Sequence, residues 1–173
     1  ETWFSSIWYA FKRKLERVSD GTWVVYFDSM KFHIAKPRLS VIFEVIRDRI
    51  YEQVYSLREG DVVIDVGAHV GIFAVKAAKT VGEHGAVIAI EPEPRNHAFL
   101  AENIVSNDVD QIVTIIQNAA GSGKGRGKLY LSALDPGHSF HKVSHYGEVM
   151  DDYIEVDVDS LDNIASKLGL GRV

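Results

Sequence analysis

The sequence predicts an α/β fold built around a parallel sheet, and three short apolar runs lead to this prediction. The runs lie at 62–64, 86–90 and 112–116, and none is long enough for a helix. A glycine-containing turn and a helix-like pattern over 71–80 follow the first run directly. Strand, turn and helix in this order are typical of α/β proteins, whose parallel strands are buried by helices on the sheet faces.

The stretch 61–73 contains the first strand and the turn after it. Asp65 stands near the carboxyl end of the strand, and Gly67 and Gly71 follow. Gly67 lets the backbone turn and approach a ligand closely, because no Cβ is in the way. The free amides at the start of the next helix point toward the same place. Ligands of open α/β sheets bind beyond the carboxyl ends of the strands, so we expect Asp65 at the mouth of a ligand crevice.

A second acidic residue, Glu91, ends the next apolar run and precedes Pro92. Its spacing from Gly67 is near the roughly 20 residues at which a second strand places a carboxylate against ribose hydroxyls. The unit of strand, glycine turn, helix, strand and acid therefore predicts a ligand that contains a nucleoside.

The glycine pattern of the turn narrows the choice of ligand. A dinucleotide fingerprint needs glycine at three positions, which here hold Gly67, His69 and Ile72, so only the first matches. The sequence of a phosphate-binding loop is absent from the turn. With no pyrophosphate to hold and Asp65 nearby, a ligand with an ammonium group fits better. We predict S-adenosylmethionine, with its ammonium at Asp65, its carboxylate at the helix amides and its ribose at Glu91.

Three motifs resemble those of the FkbM-type S-adenosylmethionine-dependent methyltransferases: VIDVGAHVG, EPEPRNHAFLAEN and NAAGSGKG. The resemblance covers roughly residue 51 to the end of the chain. It implies a Rossmann-like class I methyltransferase sheet with helices on both faces. It also implies O-methylation of a sugar, a glycolipid or another natural-product hydroxyl.

The resemblance also places the cofactor contacts. It sets Asn118 against the adenine amine and leaves room for the base at Ala119, although a strand-end turn would explain Asn118 equally well. The cofactor-binding residues predicted in this way are Asp65, Gly67, Ala68, His69, Gly71, Glu91, Pro92, Asn118 and Ala119.

The chain divides into two predicted parts, an N-terminal helical and hairpin extension over 1–58 and a methyltransferase core over 59–173. The resemblance implies a fourth central strand beyond Val173 that would pair with the first. Without it the C-terminal part of the fold is missing and a very hydrophobic strand lies at a sheet edge. We therefore expect either a longer protein or a homodimer that covers this edge.

Residues 1–19 have apolar side chains at helical spacing and a basic opposite side, which predicts an amphipathic helix. Such a helix either contacts a membrane surface or caps the domain. Next, 22–28 and 31–35 read as the two strands of a hairpin. Near the other end of the chain, 128–131 and 153–158 read as an antiparallel pair, followed by a last helix with Leu161, Ile164 and Leu168 facing inward.

The segment 135–152 is long for a connection and holds His138, His141 and His145. It is a metal-binding segment, an acceptor-binding lid or a polar flexible loop. The spacing fixes no ligand geometry, so we predict no metal site. His138 and His141 are candidates for the base that takes a hydroxyl proton, and the catalytic residue is otherwise unassigned.

The composition limits which other classes of protein the chain could belong to. The chain has 173 residues, a net charge of −5 and no cysteine, and no apolar run reaches the length of about 20 residues that crosses a bilayer. These features favour a cytoplasmic enzyme with no nucleic acid partner. The resemblance implies a small-molecule or glycan acceptor. Two alternatives stay open, a nucleic-acid methyltransferase and a cofactor-binding fragment that is catalytically incomplete.

Overall fold

Three β-sheets and three α-helices make up the described part of the computed structural model, which comprises residues 13–18, 21–35, 45, 55–132, 138–143 and 149–170. Each sheet has three strands. The elements are β1 (Arg13–Arg17), β2 (Trp23–Phe27), β3 (Met30–Ile34), β4 (Val62–Val66), α1 (Ile72–Val81), β5 (Ala86–Ile90), α2 (Pro94–Ser106), β6 (Val113–Ile116), β7 (Ala119–Ala120), β8 (Gly125–Tyr130), β9 (Tyr153–Asp159) and α3 (Leu161–Lys167).

The central sheet is parallel, with its strands in the order β4-β5-β6. Helix α1 connects β4 to β5, and helix α2 connects β5 to β6. All three carboxyl ends therefore lie at one edge of the sheet. The sequence prediction of a parallel α/β core with these three strands is confirmed.

Side chains along β5 alternate between two apolar clusters. Val87 and Ala89 pack with α1 and α2, whereas Ile88 and Ile90 pack with Ile164 of α3. This alternation follows from the two-residue period of a strand whose two faces are both covered. Helices therefore lie on both faces, as the class I methyltransferase fold requires.

Strand β4 lies at an edge of the central sheet, where β5 is its partner among the described residues. Val62 and Val66 are 43% and 51% exposed. The position agrees with the expectation that this hydrophobic strand lies at a sheet edge.

The N-terminal sheet is antiparallel and has the order β1-β2-β3. Strands β2 and β3 confirm the predicted hairpin. The helix predicted over 1–19 is wrong for 13–17, because β1 pairs along its length with β2, with Leu15 opposite Val25. Cross-strand pairing outweighs the local helical periodicity in this segment, and residues 1–12 lie outside the described part.

The hairpin packs on the methyltransferase core. Phe27 and Phe32 are almost fully buried in the same cluster as α1, α2 and one face of β5. The boundary predicted at residue 58 stays a prediction.

The third sheet has the order β7-β9-β8, and β8 pairs antiparallel with β9 as predicted. The Ser160 side chain caps α3 by accepting a hydrogen bond from the Asn163 N–H at 3.2 Å. Only part of the predicted apolar stripe is buried, since Ile164 is 3% exposed but Leu161 and Leu168 are each 39% exposed. Among the described helices, none has the length and apolarity needed to cross a membrane.

Candidate functional site

The turn between β4 and α1 has an unusual backbone that only its local contacts can hold. Gly67, His69 and Gly71 all have positive φ, at 77°, 53° and 84°. The N–H groups of Gly67 and Ala68 donate to the Ile90 carbonyl at 2.9 and 3.0 Å, which ties the turn to the end of β5. Glycine tolerates the left-handed region, but His69 does so at a cost and needs compensating contacts.

Gly71 is also required by packing. A Cβ at this position would lie 2.5 Å from Cδ1 of Leu100, which belongs to α2. Leu100 is fully buried, so its side chain has little room to move. Helix α2 therefore presses directly on the turn.

The side chains of Asp65 and Glu91 share one face of the sheet and one end of it. Asp65 is opposite Ala89 in the parallel register, and Glu91 is two residues after Ala89, so the strand period directs both acids the same way. Burial and, to a smaller extent, the nearby Glu91 raise the pKa of Asp65 to about 7. The structure therefore brings together the two acids that the sequence singled out.

The Glu91 carboxylate fixes the turn. Its Oε2 accepts a hydrogen bond from the His69 N–H at 2.8 Å, and its Oε1 accepts one from the Glu93 N–H at 3.0 Å. Burial raises the pKa of Glu91, and these two backbone hydrogen bonds partly oppose that shift. Each carboxylate oxygen can accept a second hydrogen bond, so Glu91 retains acceptor capacity for ligand hydroxyls.

The Asp65 carboxylate is different. Its Oδ2 is buried and finds no hydrogen-bond partner among the described residues. A buried polar atom without a partner is costly, and such atoms concentrate at functional sites. A cationic or hydrogen-bond-donating ligand group would satisfy it, which fits the ammonium predicted from the sequence.

The remaining predicted cofactor contacts lie at the same edge of the sheet or just beyond it. Pro92 follows Glu91 and is half-buried, and Asn118 is half-buried between β6 and β7. Ala119 is buried in a cluster with Leu129 and Val156 of the third sheet. The roles assigned to these residues stay predictions.

His138 and His141 lie in the segment beside β8, where Ser139 bridges to Tyr130. Nδ1 of His138 accepts a hydrogen bond from the Ser132 N–H at 2.9 Å. Nδ1 of His138 is thus occupied by a backbone donor, and the roles of His138 and His141 as candidate bases stay predictions. His141 is exposed, and His145 lies outside the described residues. No group of three or more acidic or histidine side chains that could hold a metal occurs in the described ranges.

Sequence reasoning did not identify Asn103, whose side chain is fully buried. Its Nδ2 donates to the Val70 carbonyl in the glycine turn at 2.7 Å. Its helical spacing is the sequence feature that indicates burial. One face of the helix carries Asn96, Leu100, Asn103 and Asn107.

Comparison with known protein families decides the class. The model of the TRM5/TYW2 methyltransferase domain matches residues 14–123, which is more than half of the chain. The chain belongs to the TRM5/TYW2 methyltransferase domain family. Membership confirms the predicted methyltransferase class, and the matched range contains the glycine turn and both acids.

The individual relatives align with this chain over only part of their own length. The ribosomal protein L11 methyltransferase of Chloroflexus aurantiacus is 32% identical over 71 residues, which cover 41% of this chain and 21% of that protein. The chain thus spans about a fifth of the length of this curated relative. Two similar structures are the tRNA m1G37 methyltransferase of M. jannaschii (26% identical, TM-score 0.40, 61% of this chain and 29% of that one) and M. jannaschii TYW2 in complex with AdoMet (27%, 0.40, 60% and 42%).

The TRM5/TYW2 match overturns the assignment to the FkbM-type family. The three motifs suggested the wrong family because their residues form the glycine turn and the contacts that hold it. Glu91 holds the turn, Pro94 begins α2, and Glu93 caps that helix by accepting from the Asn96 N–H at 2.7 Å. These tasks belong to the shared scaffold and do not distinguish one acceptor class from another.

The exclusion of nucleic acid is also wrong, since the chain belongs to the family of the TRM5/TYW2 methyltransferase domain and not to the FkbM-type family. A small-molecule or glycan acceptor loses its support together with the FkbM assignment. The exclusion rested on a net charge of −5. A net charge sums over the whole chain and does not describe a local binding surface.

Proposed function

We propose that the chain is the cofactor-binding domain of an S-adenosylmethionine-dependent methyltransferase that acts on tRNA. The observation that carries the proposal is the family match over residues 14–123, which contains the paired acids of the sheet edge. The M. jannaschii TYW2 structure contains AdoMet, which agrees with the cofactor predicted from the sequence.

In this proposal the two acids divide the cofactor between them. Asp65 pairs its Oδ2, which has no partner among the described residues, with the α-ammonium, and the amides at the start of α1 face the carboxylate of the ligand. Glu91 accepts hydrogen bonds from the ribose hydroxyls with its remaining lone pairs. Asn118 and Ala119 border the adenine.

When bound, S-adenosylmethionine supplies an electrophilic methyl group that carries its own reactivity. The task of the chain is to hold the donor in one orientation, which can contribute on the order of 7–11 kcal/mol when both reactants are aligned. The pre-formed turn serves this purpose, because Ile90, Glu91 and Leu100 fix its backbone.

Isothermal titration with S-adenosylmethionine, with NAD as the control ligand, tests the cofactor half of the proposal. We expect saturable binding of S-adenosylmethionine and none of NAD. Asp65→Ala and Glu91→Ala are each expected to weaken binding by about tenfold or more, or about 1.4 kcal/mol. Unchanged affinity in both folded variants would remove the site assignment.

Transfer of a radiolabelled methyl group to tRNA tests the acceptor half. A second acceptor class, ribosomal protein, is included because the Chloroflexus aurantiacus relative is a ribosomal protein L11 methyltransferase. We expect label in tRNA and none in ribosomal protein L11 or in double-stranded DNA. Label in L11 alone would replace the tRNA proposal with protein methylation at the same cofactor site.

A further inference from the structure

Two asparagines of α2 cover the outer edge of β3 by imitating a neighbouring strand. The Lys31 N–H donates to Asn107 Oδ1 at 2.9 Å, and Asn107 Nδ2 donates to the Lys31 carbonyl at 2.6 Å. The His33 N–H donates to Asn103 Oδ1 at 2.6 Å, and Asn103 Nδ2 donates to the His33 carbonyl at 3.0 Å. Each side-chain amide thus makes the pair of hydrogen bonds that a strand backbone would make.

The match depends on the geometry of the two elements. Four residues of helix rise about 6 Å, and two residues of strand rise about 6.6 Å. Asn103 and Asn107 are four apart on α2, and Lys31 and His33 are two apart on β3, so the two amides meet alternate residues of the strand. The arrangement anchors the hairpin to the core and protects its exposed edge.

The second donor hydrogen of each amide distinguishes the two residues. The remaining N–H of Asn107 donates to the Asn103 carbonyl at 2.7 Å, within its own helix. The remaining N–H of Asn103 donates to the carbonyl of Val70 at 2.7 Å, in the glycine turn. Asn103 therefore joins the hairpin, helix α2 and the turn in one hydrogen-bonded unit, whereas Asn107 joins the hairpin and the helix alone.

We infer that Asn103 is a positioning residue that sets the cofactor turn and couples its geometry to the docked hairpin. The inference deepens the proposed function and rests on it for the identity of the ligand. Val70 lies between His69 and Gly71, both of which have positive φ, so its carbonyl direction depends on external support. The Val70 residue is 4% exposed, so water cannot easily replace the amide of Asn103.

Removing the Asn103 amide leaves the buried Val70 carbonyl without this donor, and the turn is expected to relax in order to satisfy it. A ligand that needs the original turn must then restore it, and this cost appears as weaker binding. Removing the Asn107 amide loosens the hairpin to a similar degree but leaves the bond to the turn in place. Asn107→Ala is therefore a matched control for Asn103→Ala.

Two measurements on the full chain test the inference. Isothermal titration is expected to show S-adenosylmethionine binding about tenfold weaker in Asn103→Ala, with the dissociation constant of Asn107→Ala close to that of the unmodified chain. Hydrogen exchange of the ligand-free proteins is expected to be faster over residues 67–71 in Asn103→Ala and unchanged there in Asn107→Ala. Equal affinity losses in the two variants, or no loss in either, would overturn the inference.

A second variant guards against a failure of Asn103→Ala to fold. Asn103→Asp keeps the shape of the side chain and the acceptor for the His33 N–H. In its ionised form, which a higher pH favours, it leaves both carbonyls without a donor, because a carboxylate carries no hydrogen. We expect weaker binding and faster exchange of the turn in this variant as well, and an unperturbed turn would overturn the inference.

The titration and the hydrogen exchange test the proposed function and the role of Asn103 independently. If the unmodified chain does not bind S-adenosylmethionine, the proposed function falls. Hydrogen exchange in the ligand-free variants still decides whether Asn103 sets the turn, because that measurement needs no ligand.

Discussion

Lowering the pH from 7 to 6 is expected to weaken the binding of S-adenosylmethionine through the protonation of Asp65. Burial and the neighbouring Glu91 raise the pKa of Asp65 to about 7 in the ligand-free protein. An ammonium group beside the carboxylate favours the ionised form, so the bound state has a lower pKa. Binding must therefore release a proton from those molecules in which Asp65 is protonated.

The magnitude follows from the ionised fraction. With a pKa of about 7, about half of the free protein has an ionised Asp65 at pH 7, and about one molecule in eleven at pH 6. The dissociation constant should rise about fivefold over this interval, and about half a proton should be released per ligand bound at pH 7. Both quantities depend on the same group.

Isothermal titration in two buffers of different ionisation enthalpy measures the released proton directly. Asp65→Asn serves as the control, because the amide does not titrate and any remaining pH dependence belongs to other groups. Such other groups include Glu91 and the ligand ammonium. Binding by the unmodified protein that is flat between pH 6 and 7 and releases no proton would refute the reasoning.

Three further predictions concern the same turn and acids. Gly71→Ala should destabilise the fold by about 2 kcal/mol or more, through its positive φ and its collision with Leu100. Gly67→Ala has a similar φ, but no described atom lies within 4 Å of the new Cβ, so the loss of stability should be only about 1 kcal/mol. Urea titrations of the two variants measure both losses. Glu91→Gln should weaken S-adenosylmethionine binding by about tenfold and lower the melting temperature, because one amide oxygen cannot replace both acceptors of the two backbone N–H groups. The raised pKa of Asp65 makes the ionised side chain a cost to the fold, so stability should fall as pH rises from about 4 to about 7. Asp65→Asn should therefore gain stability that is absent near pH 4 and reaches at most about 4 kcal/mol above pH 7, and a pH-independent gain would contradict this assignment.

The core of the site could be predicted because it depends on short stretches of sequence. A strand that ends in Asp65, a glycine turn and a strand that ends in Glu91 each have a local signature. The right-handed connection of neighbouring parallel strands then places both acids at one edge. Predicting where the two acids lie therefore required no knowledge of contacts between distant parts of the chain.

Strand β1 could not be predicted in this way. Its five residues contain one apolar side chain, Leu15, which fitted the helical spacing of the residues around it. What makes the segment a strand is its antiparallel pairing with β2. The local sequence of β1 does not indicate that it pairs with β2, and tertiary context commonly overrides such weak local preferences.

Helix α2 shows a different cause of error. The apolar residues of its sequence include Val105, which is 65% exposed, whereas the polar Asn103 is fully buried. The buried face follows helical spacing once asparagine is allowed as an interior residue. Hydrophobicity alone identifies the buried Leu100 and Ile104 but not Asn103, because a buried amide with all its hydrogen bonds made is acceptable in a core.

The two acids contribute to the site in physically different ways. Glu91 already accepts two backbone hydrogen bonds and holds the turn in the absence of ligand. Asp65 has a buried oxygen that finds no partner in the described part of the chain, and its ionised form destabilises the empty protein. Glu91 substitutions should therefore lower stability and affinity together, whereas Asp65→Asn should raise stability and lower affinity. An opposite response of stability and affinity at one position is what a pre-formed site for a cation requires, since the ligand supplies the charge that the fold leaves unpaired.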